Sequence, residues 1–103
     1  MRGDVHELKA PRDTRGHEQR GNRFAVVVQS DLLPLSTLMV APTSTSAMPA
    51  SFRPKIEING KTTYVLPEQA AAVAPERLGP VVGHLSHLEM TAVDAALRTV
   101  LSL

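Results

Sequence analysis

The sequence predicts a mainly β fold, a small barrel-like sheet closed on one side by a single C-terminal helix. Three stretches carry that expectation. Phe24 to Val28 is an unbroken apolar, β-branched run of the kind found in strands buried on both faces. Asn59-Gly60, between two alternating stretches, is the strongest short hairpin signal, because a type I′ turn needs positive φ at both central residues. Ser86 followed by Glu89 is a capping box, in which each side chain satisfies an otherwise orphan amide at a helix start. Met90, Val93, Leu97, Val100 and Leu101 then recur at helical spacing, so one apolar face is expected to reach the end of the chain.

Taken in order, Gly3 to Leu8 alternates Val5 and His6 with Asp4 and Glu7, a weak strand pattern. Residues 9–22 hold Pro11, Gly16 and Gly21 among charges and read as a long polar loop. Arg23 to Ser30 is the strongest strand. Asp31 to Ser36, with Pro34 inside it, is a turn or a single helical turn. Thr37 to Ala41 resumes β character, and Pro42, which has no amide proton, is expected to end the regular pairing. Thr43-Ser44-Thr45-Ser46 is then a hydroxyl cluster at a strand's end. Met48 to Phe52 is a small-residue linker. Arg53 to Ile58, with Ile56 and Ile58 on one face, and Lys61 to Leu66 are the arms of the hairpin. Pro67-Glu68-Gln69 interrupts. Ala70 to Ala74 is a short strand, because Pro67 and Pro75 leave too few residues for a stable helix. Pro75 to Leu78 is one helical turn, and Val81 to Leu85 is the last strand before the helix.

At 103 residues the chain has room for one core, and the expected organisation is a single domain over 1–103. Aromatics are only 3%, so aliphatic packing must carry most of the burial, and association with a second copy is expected to add apolar area that a small monomer lacks. The formal net charge of +1 gives no global signal for nucleic acid. Residues 1–23, however, hold six of the eleven Lys and Arg against four acids, a local basic bias. With zero Cys there is neither a disulfide framework nor a thiolate metal site. No apolar run approaches the roughly 20 residues of a membrane span, so no membrane association is expected, and the chain reads as cytoplasmic.

Loops held by a rigid core are where binding and catalysis concentrate. The glycine-bracketed segment Gly16-His17-Glu18-Gln19-Arg20-Gly21-Asn22-Arg23 runs straight into the buried strand Phe24 to Val28. This segment, with the Ala-Val-Val-Val-Gln-Ser-Asp that follows Phe24, resembles the loop and second strand of the MazF/PemK/Kid ribonuclease toxins of bacterial toxin-antitoxin pairs. Arg2-Gly3-Asp4-Val5 is similar to that family's opening strand. Arg77-Leu78-Gly79, Gly83-His84-Leu85-Ser86 and Glu89 to Leu97 resemble its final strand and helix. The likeness therefore spans nearly the whole chain in the right order. His6, where the family usually has an aromatic, and Glu7 to Pro11, where it has an Asp-Leu-Pro-like turn, depart from the pattern.

The resemblance implies the SH3-like barrel shared by the MazF and CcdB toxins, a symmetric homodimer, and neutralisation by a cognate antitoxin. It implies a sequence-specific, metal-independent endoribonuclease that cleaves single-stranded RNA by attack of the 2′-hydroxyl, inhibiting translation and growth. No cofactor is implied. Arg23 matches the catalytic arginine; on residues alone it reads first as a strand-edge arginine paired with Glu18. The family's catalytic Thr or Ser, just after a Pro-x pair, maps onto Ser44. Thr43 and Thr45 flank it as substrate-binding candidates, with Thr45 the alternative hydroxyl if the register is off by one. An ordinary Ser/Thr turn bonding to its own backbone is the competing reading. Glu18 and Gln19 match the family's Glu-Gln, which implies substrate contact or help in proton transfer, with Glu18 the catalytic candidate. Arg20 and Asn22 are expected to position RNA backbone, His17 is a further substrate-contact candidate, and Gln69 is expected near the dimer interface or the RNA groove. His17 could exchange protons near neutral pH, although the family often has Ser there. His6, His84 and His87 lack metal-site spacing and are expected to be structural. A different class, a CcdB-like toxin that poisons DNA gyrase without catalysis, is disfavoured because Leu103 ends the chain without the aromatic such toxins carry.

Overall fold

A computed structural model describes residues 1–9 and 23–103. Among them the order is β1 (Asp4–Leu8), β2 (Arg23–Val27), β3 (Leu38–Ser44), β4 (Lys55–Ile58), β5 (Lys61–Val65), β6 (Ala71–Val73), β7 (Leu78–His84) and α1 (His87–Leu101), with single 3-10 turns at Pro67–Gln69 and Pro75–Arg77. The sheet runs β4-β5-β3-β2-β1-β7, and β6 joins β3 off that path. Every pairing is antiparallel. Mainly β with one closing helix is the architecture the patterning predicts.

β2 lies inside the sheet, and its alternation feeds two cores. Val26 and Val28 join Val5, Ile56, Val65 and Val93 on one face, while Ala25 and Val27 join Val40 and Val73 on the other. That is the predicted burial of both faces, and it is almost wholly aliphatic. The ladder stops at Val27, three residues before the expected Ser30, because the amides of Val28 and Gln29 both turn to the single carbonyl of Met39, at 3.1 and 3.2 Å. Two donors on one acceptor break the register.

β3 passes through Pro42 to Ser44, contrary to the expected stop at Ala41. The strand changes neighbours there. Leu38 to Val40 pair with β6, Val40 to Pro42 pair with β2, and Thr43 and Ser44 pair with β5. Pro42 uses only its carbonyl, which accepts from Leu66 N at 2.9 Å, so the missing amide proton falls at the changeover and costs no ladder bond. β7 likewise begins at Leu78 rather than Val81. It is an edge strand, where Pro80 is tolerated, and the irregular register between His6 and Leu8 of β1 accommodates it.

The hairpin β4-β5 forms as its turn predicts, with φ of 52° at Asn59 and 80° at Gly60. Ile56 and Ile58 are buried, and Lys55 and Glu57 face solvent. The capping box is also present. Glu89 N donates to Ser86 Oγ at 3.1 Å, and Ser86 N donates to Glu89 Oε1 at 2.8 Å. The other carboxylate oxygen, Oε2, accepts from Glu57 N of β4 at 3.0 Å and so ties the helix start to the sheet. Burial opposes the charge of Glu89, but the amides of Ser86 and Glu57 and the Ser86 hydroxyl outweigh it and hold the carboxyl below its usual value of 4.5. Val93 and Ala96 are buried, with Met90 and Leu97 packed against the core. The apolar face does not stay covered to the chain's end, since Leu101 is 59% exposed. A helix of 15 residues is roughly 22 Å long and outruns the core it closes.

Candidate active-site cleft

The antiparallel register of β2 and β3 brings distant residues together. Ala25 faces Pro42, and the same register carried two residues further sets Arg23 opposite Ser44. Thr43 Oγ1 confirms the alignment by donating to Phe24 O at 3.2 Å. On the other edge of β3, Ser44 pairs with Tyr64 and Thr43 with Val65, so β5 continues into Leu66 and the 3-10 turn beside the same strand end. The turn is fixed by buried Pro67 and by Gln69 N donating to Leu66 O at 3.0 Å.

These elements enclose a cleft of about 250 Å³. Its polar lining is Arg23, Thr43, Ser44, Arg53 and Gln69, on apolar walls from Pro42, Ala47 and Leu66. Four residues singled out from the sequence, separated by up to 46 positions between Arg23 and Gln69, thus share one cavity. Thr45 is exposed and does not line it. His17, Glu18, Gln19, Arg20 and Asn22 lie outside the described residues.

The hydroxyls are not equivalent. Thr43 commits its proton to the Phe24 carbonyl. Ser44 Oγ accepts from Ser46 N at 3.3 Å and lies 3.2 Å from Ser46 Oγ. The competing Ser/Thr turn is therefore real, yet a hydroxyl with two acceptor lone pairs and a rotatable proton can serve both the turn and a ligand in the cleft. Arg23 is half-buried at the mouth, as a strand-initiating arginine should be. The cleft thus offers a guanidinium and an adjacent hydroxyl, a pair suited to binding and polarising a phosphodiester.

Arg53 was not foreseen as a cleft residue. Its Nε and Nη2 donate to Glu68 Oε2 at 2.9 and 2.6 Å, its Nη1 donates to Met48 O at 3.0 Å, and its guanidinium lies 5.3 Å from the centre of the Phe52 ring. In the sequence it reads only as the first residue of a strand. The signal available was a lone cation between Phe52 and Pro54 at the end of a neutral linker.

The described histidines sit away from the cleft or make simple contacts. His6 Nδ1 meets Gly79 O at 2.9 Å across β1 and β7. His84 Nδ1 meets Asp4 Oδ1 at 2.7 Å, at the end of β1 opposite the Leu8 that pairs with Arg23. Burial would raise the Asp4 carboxyl, but the His84 contact and the nearby N-terminal ammonium prevail and lower it. Among the described residues no group of three His, Cys, Asp or Glu is placed to hold a metal, and no helix is long and apolar enough to cross a membrane.

Comparison with known proteins agrees with this architecture. The chain is 39% identical over 104 aligned positions to "Putative toxin Rv3098A/RVBD_3098A" of Mycobacterium tuberculosis (strain ATCC 25618 / H37Rv), covering 100% of this chain and 98% of that protein. An endoribonuclease from a mycobacterial species, solved in complex with its cognate antitoxin, superposes with a TM-score of 0.82 at 17% identity, over 100% of this chain and 95% of that one. The Mycobacterium tuberculosis toxin MazF-mt6 gives 0.79 at 15% identity, over 97% of each chain. MazF from Deinococcus radiodurans gives 0.78 at 19%, over 99% of this chain and 96% of that one. The sheet is thus the curled half-barrel of MazF structures, closed by its terminal helix. Residues 1–101 match the model of the PemK-like, MazF-like toxins, and the chain belongs to that family of type II toxin-antitoxin systems.

Proposed function

We propose that this toxin is a sequence-specific endoribonuclease that cleaves single-stranded RNA, with Arg23 and Ser44 at the centre of its site. The observation that carries the reading is the meeting of Arg23, Thr43, Ser44 and Gln69 in one cleft. Unstacked RNA presents base edges that A-form duplex hides, so sequence-specific cleavage favours single strands.

In the reaction proposed, the 2′-oxygen attacks the adjacent phosphorus as its proton passes to a base. The bond from phosphorus to the 5′-oxygen breaks, and that oxygen takes a proton. The products are a cyclic phosphate and a free 5′-hydroxyl. No metal takes part in this scheme. Negative charge accumulates on the phosphoryl oxygens, and the parallel N–H donors of Arg23 answer it. A guanidinium keeps its own proton at neutral pH, so charge stabilisation is its role. Ser44 positions or protonates a phosphate or leaving oxygen, and Glu18 is the proton acceptor. Gln69, Thr43 and the loop residues His17, Gln19, Arg20 and Asn22 hold the strand.

The functional unit in this reading is a single-domain protomer in a homodimer, acting in the cytoplasm. An aromatic-poor core and the exposed leucines Leu88 at the start of the helix and Leu101 and Leu103 at its end support association. Growth inhibition follows from loss of translated RNA. The local basic bias of residues 1–23 suits an antitoxin with an acidic segment that orders on binding. The experiment is cleavage of a long single-stranded RNA in EDTA, beside DNA of the same sequence. Cleavage of RNA alone, leaving 5′-hydroxyl ends, is the expected result. Abolition by EDTA, or equal cutting of DNA, which has no 2′-hydroxyl, refutes the mechanism.

A further inference from the structure

We propose that Arg53 is a second substrate-binding guanidinium of the cleft, gripping a backbone phosphate of the bound RNA, and that Glu68 is the positioning residue that aims it. The inference deepens the ribonuclease reading and rests on it. Arg53 lines the same cavity as Arg23 and Ser44 but comes from a different element, the segment between β3 and β4.

Its side chain is held rather than loose. Glu68 Oε2 takes Nε and Nη2, Met48 O takes one proton of Nη1, and the Phe52 ring supports the guanidinium at 5.3 Å. A guanidinium has five N–H groups. Three are used, which leaves one on each terminal nitrogen. Two donors on one rigid plane match two oxygens of one phosphate. The head is pre-oriented by contacts on its other side, so little side-chain freedom remains to be lost on binding. Glu68 sits next to Gln69 in the 3-10 turn, so the element that supplies a cleft-lining amide also supplies the carboxylate that fixes Arg53.

A mere strap across the loop and a substrate-binding pair make opposite electrostatic predictions. If the ion pair only fastens the segment between β3 and β4 to the turn, losing either partner weakens RNA binding through the same disorder. If Arg53 grips phosphate, removing it leaves the Glu68 carboxylate facing the RNA, whereas removing the Glu68 charge leaves a cation with no counter-ion.

The test measures binding of a non-cleaved probe, the single-stranded RNA substrate with 2′-deoxy at the scissile position, to wild-type, Arg53→Ala, Arg53→Lys, Glu68→Gln and Glu68→Ala proteins across a salt series. Cleavage kinetics and thermal stability are measured in parallel. Arg53→Ala should weaken binding about tenfold or more and raise KM more than it lowers kcat. It should also flatten the slope of log Kd against log salt by about 0.7, the value for one phosphate contact on a single strand. Arg53→Lys should restore part of the salt slope but less of the affinity, because a point charge lacks the fork. Glu68→Gln keeps an amide oxygen that can still take Nε and Nη2 and so keeps the aim while the competing charge is lost, and it should tighten binding. Glu68→Ala, which loses the aim as well, should bind more weakly than Glu68→Gln. Overturning results are an unchanged Kd and salt slope in Arg53→Ala, or equal weakening in Arg53→Ala and Glu68→Gln in step with their stability losses. In either case a wild-type protein that cuts RNA and an Arg23→Ala variant that does not would leave the ribonuclease reading intact. A wild-type chain that neither binds nor cuts RNA removes that reading, and this proposal with it.

Discussion

Glu89 joins three parts of the fold, and replacing it should cost more than an ordinary helix cap. Glu89→Ala removes the acceptor of Ser86 N at 2.8 Å and of Glu57 N at 3.0 Å. Hydrogen bonds to a charged group contribute about 1.5 to 3 kcal/mol each, and these amides can partly rehydrate, so the low end applies and the sum is about 3 kcal/mol. Ser86→Ala removes only the hydroxyl that accepts from Glu89 N and should cost about 1 kcal/mol. Glu89→Asp is the separating variant, since it keeps an acidic cap but is too short to reach β4. It should fall between the two. At about 4 °C per kcal/mol for a domain of this size, the expected drop in Tm is about 12 °C for Glu89→Ala. Protein concentration must be fixed, because association shifts Tm by mass action. The effect has a pH signature. The folded carboxyl titrates below its usual 4.5, so its contribution is complete above that value and fades as pH falls through the lowered pKa. The gap between wild type and Glu89→Ala should therefore close in acid. If Glu89→Ala costs no more than Ser86→Ala at neutral pH, the bond to Glu57 does not hold the helix to the sheet.

Arg23→Ala and Ser44→Ala should each remove most cleavage while leaving the thermal transition in place, with a loss of about a hundredfold to a thousandfold for one preorganised donor and more for the arginine; normal cutting by Arg23→Ala would sink the assignment. Thr45→Ala should cut at the wild-type rate, and its failure to do so would move the reactive hydroxyl by one residue. Gly60→Ala places a Cβ at a φ of 80°, which should lower stability by roughly 1 to 2 kcal/mol, measured by urea unfolding, although nothing lies near enough to clash. Light scattering at micromolar concentration should give about twice the protomer mass of 11.1 kDa, and a fully active monomer would refute the dimer.

The elements legible in the sequence are those whose local chemistry agrees with their tertiary setting. Asn59-Gly60 needs no distant partner to make its turn, and Ser86 with Glu89 caps a helix from within four residues. The run through Val26 and Val27 announces double burial by lacking any polar position. Pro42 misled because its effect depends on which edge of β3 is paired at that residue, and that is decided by β5 and β6, further along the chain. The extent of the helix's apolar face was likewise hidden, since periodicity shows which residues share a stripe but not where the core beneath it ends. In the site, Arg23, Ser44 and Gln69 were found by resemblance to a family, and the structure shows that they share a cleft. Arg53 went unseen because its importance lies in two contacts, to Glu68 and Met48, that no local pattern encodes.

The division of labour along the chain has a consequence for synthesis. Every described residue lining the cleft lies between Arg23 and Gln69, yet the core behind it includes Leu85 and Val93 from the last strand's exit and the helix. A nascent toxin thus carries its complete described cleft well before it has the means to hold it rigid. Because sites of this kind depend on fixed geometry, the cleft of the growing chain is expected to stay inactive until the helix has emerged and docked. A chain ending at His84 should accordingly be harmless in cells with all its cleft side chains in place, and growth arrest by that fragment would show that the helix is dispensable for the site.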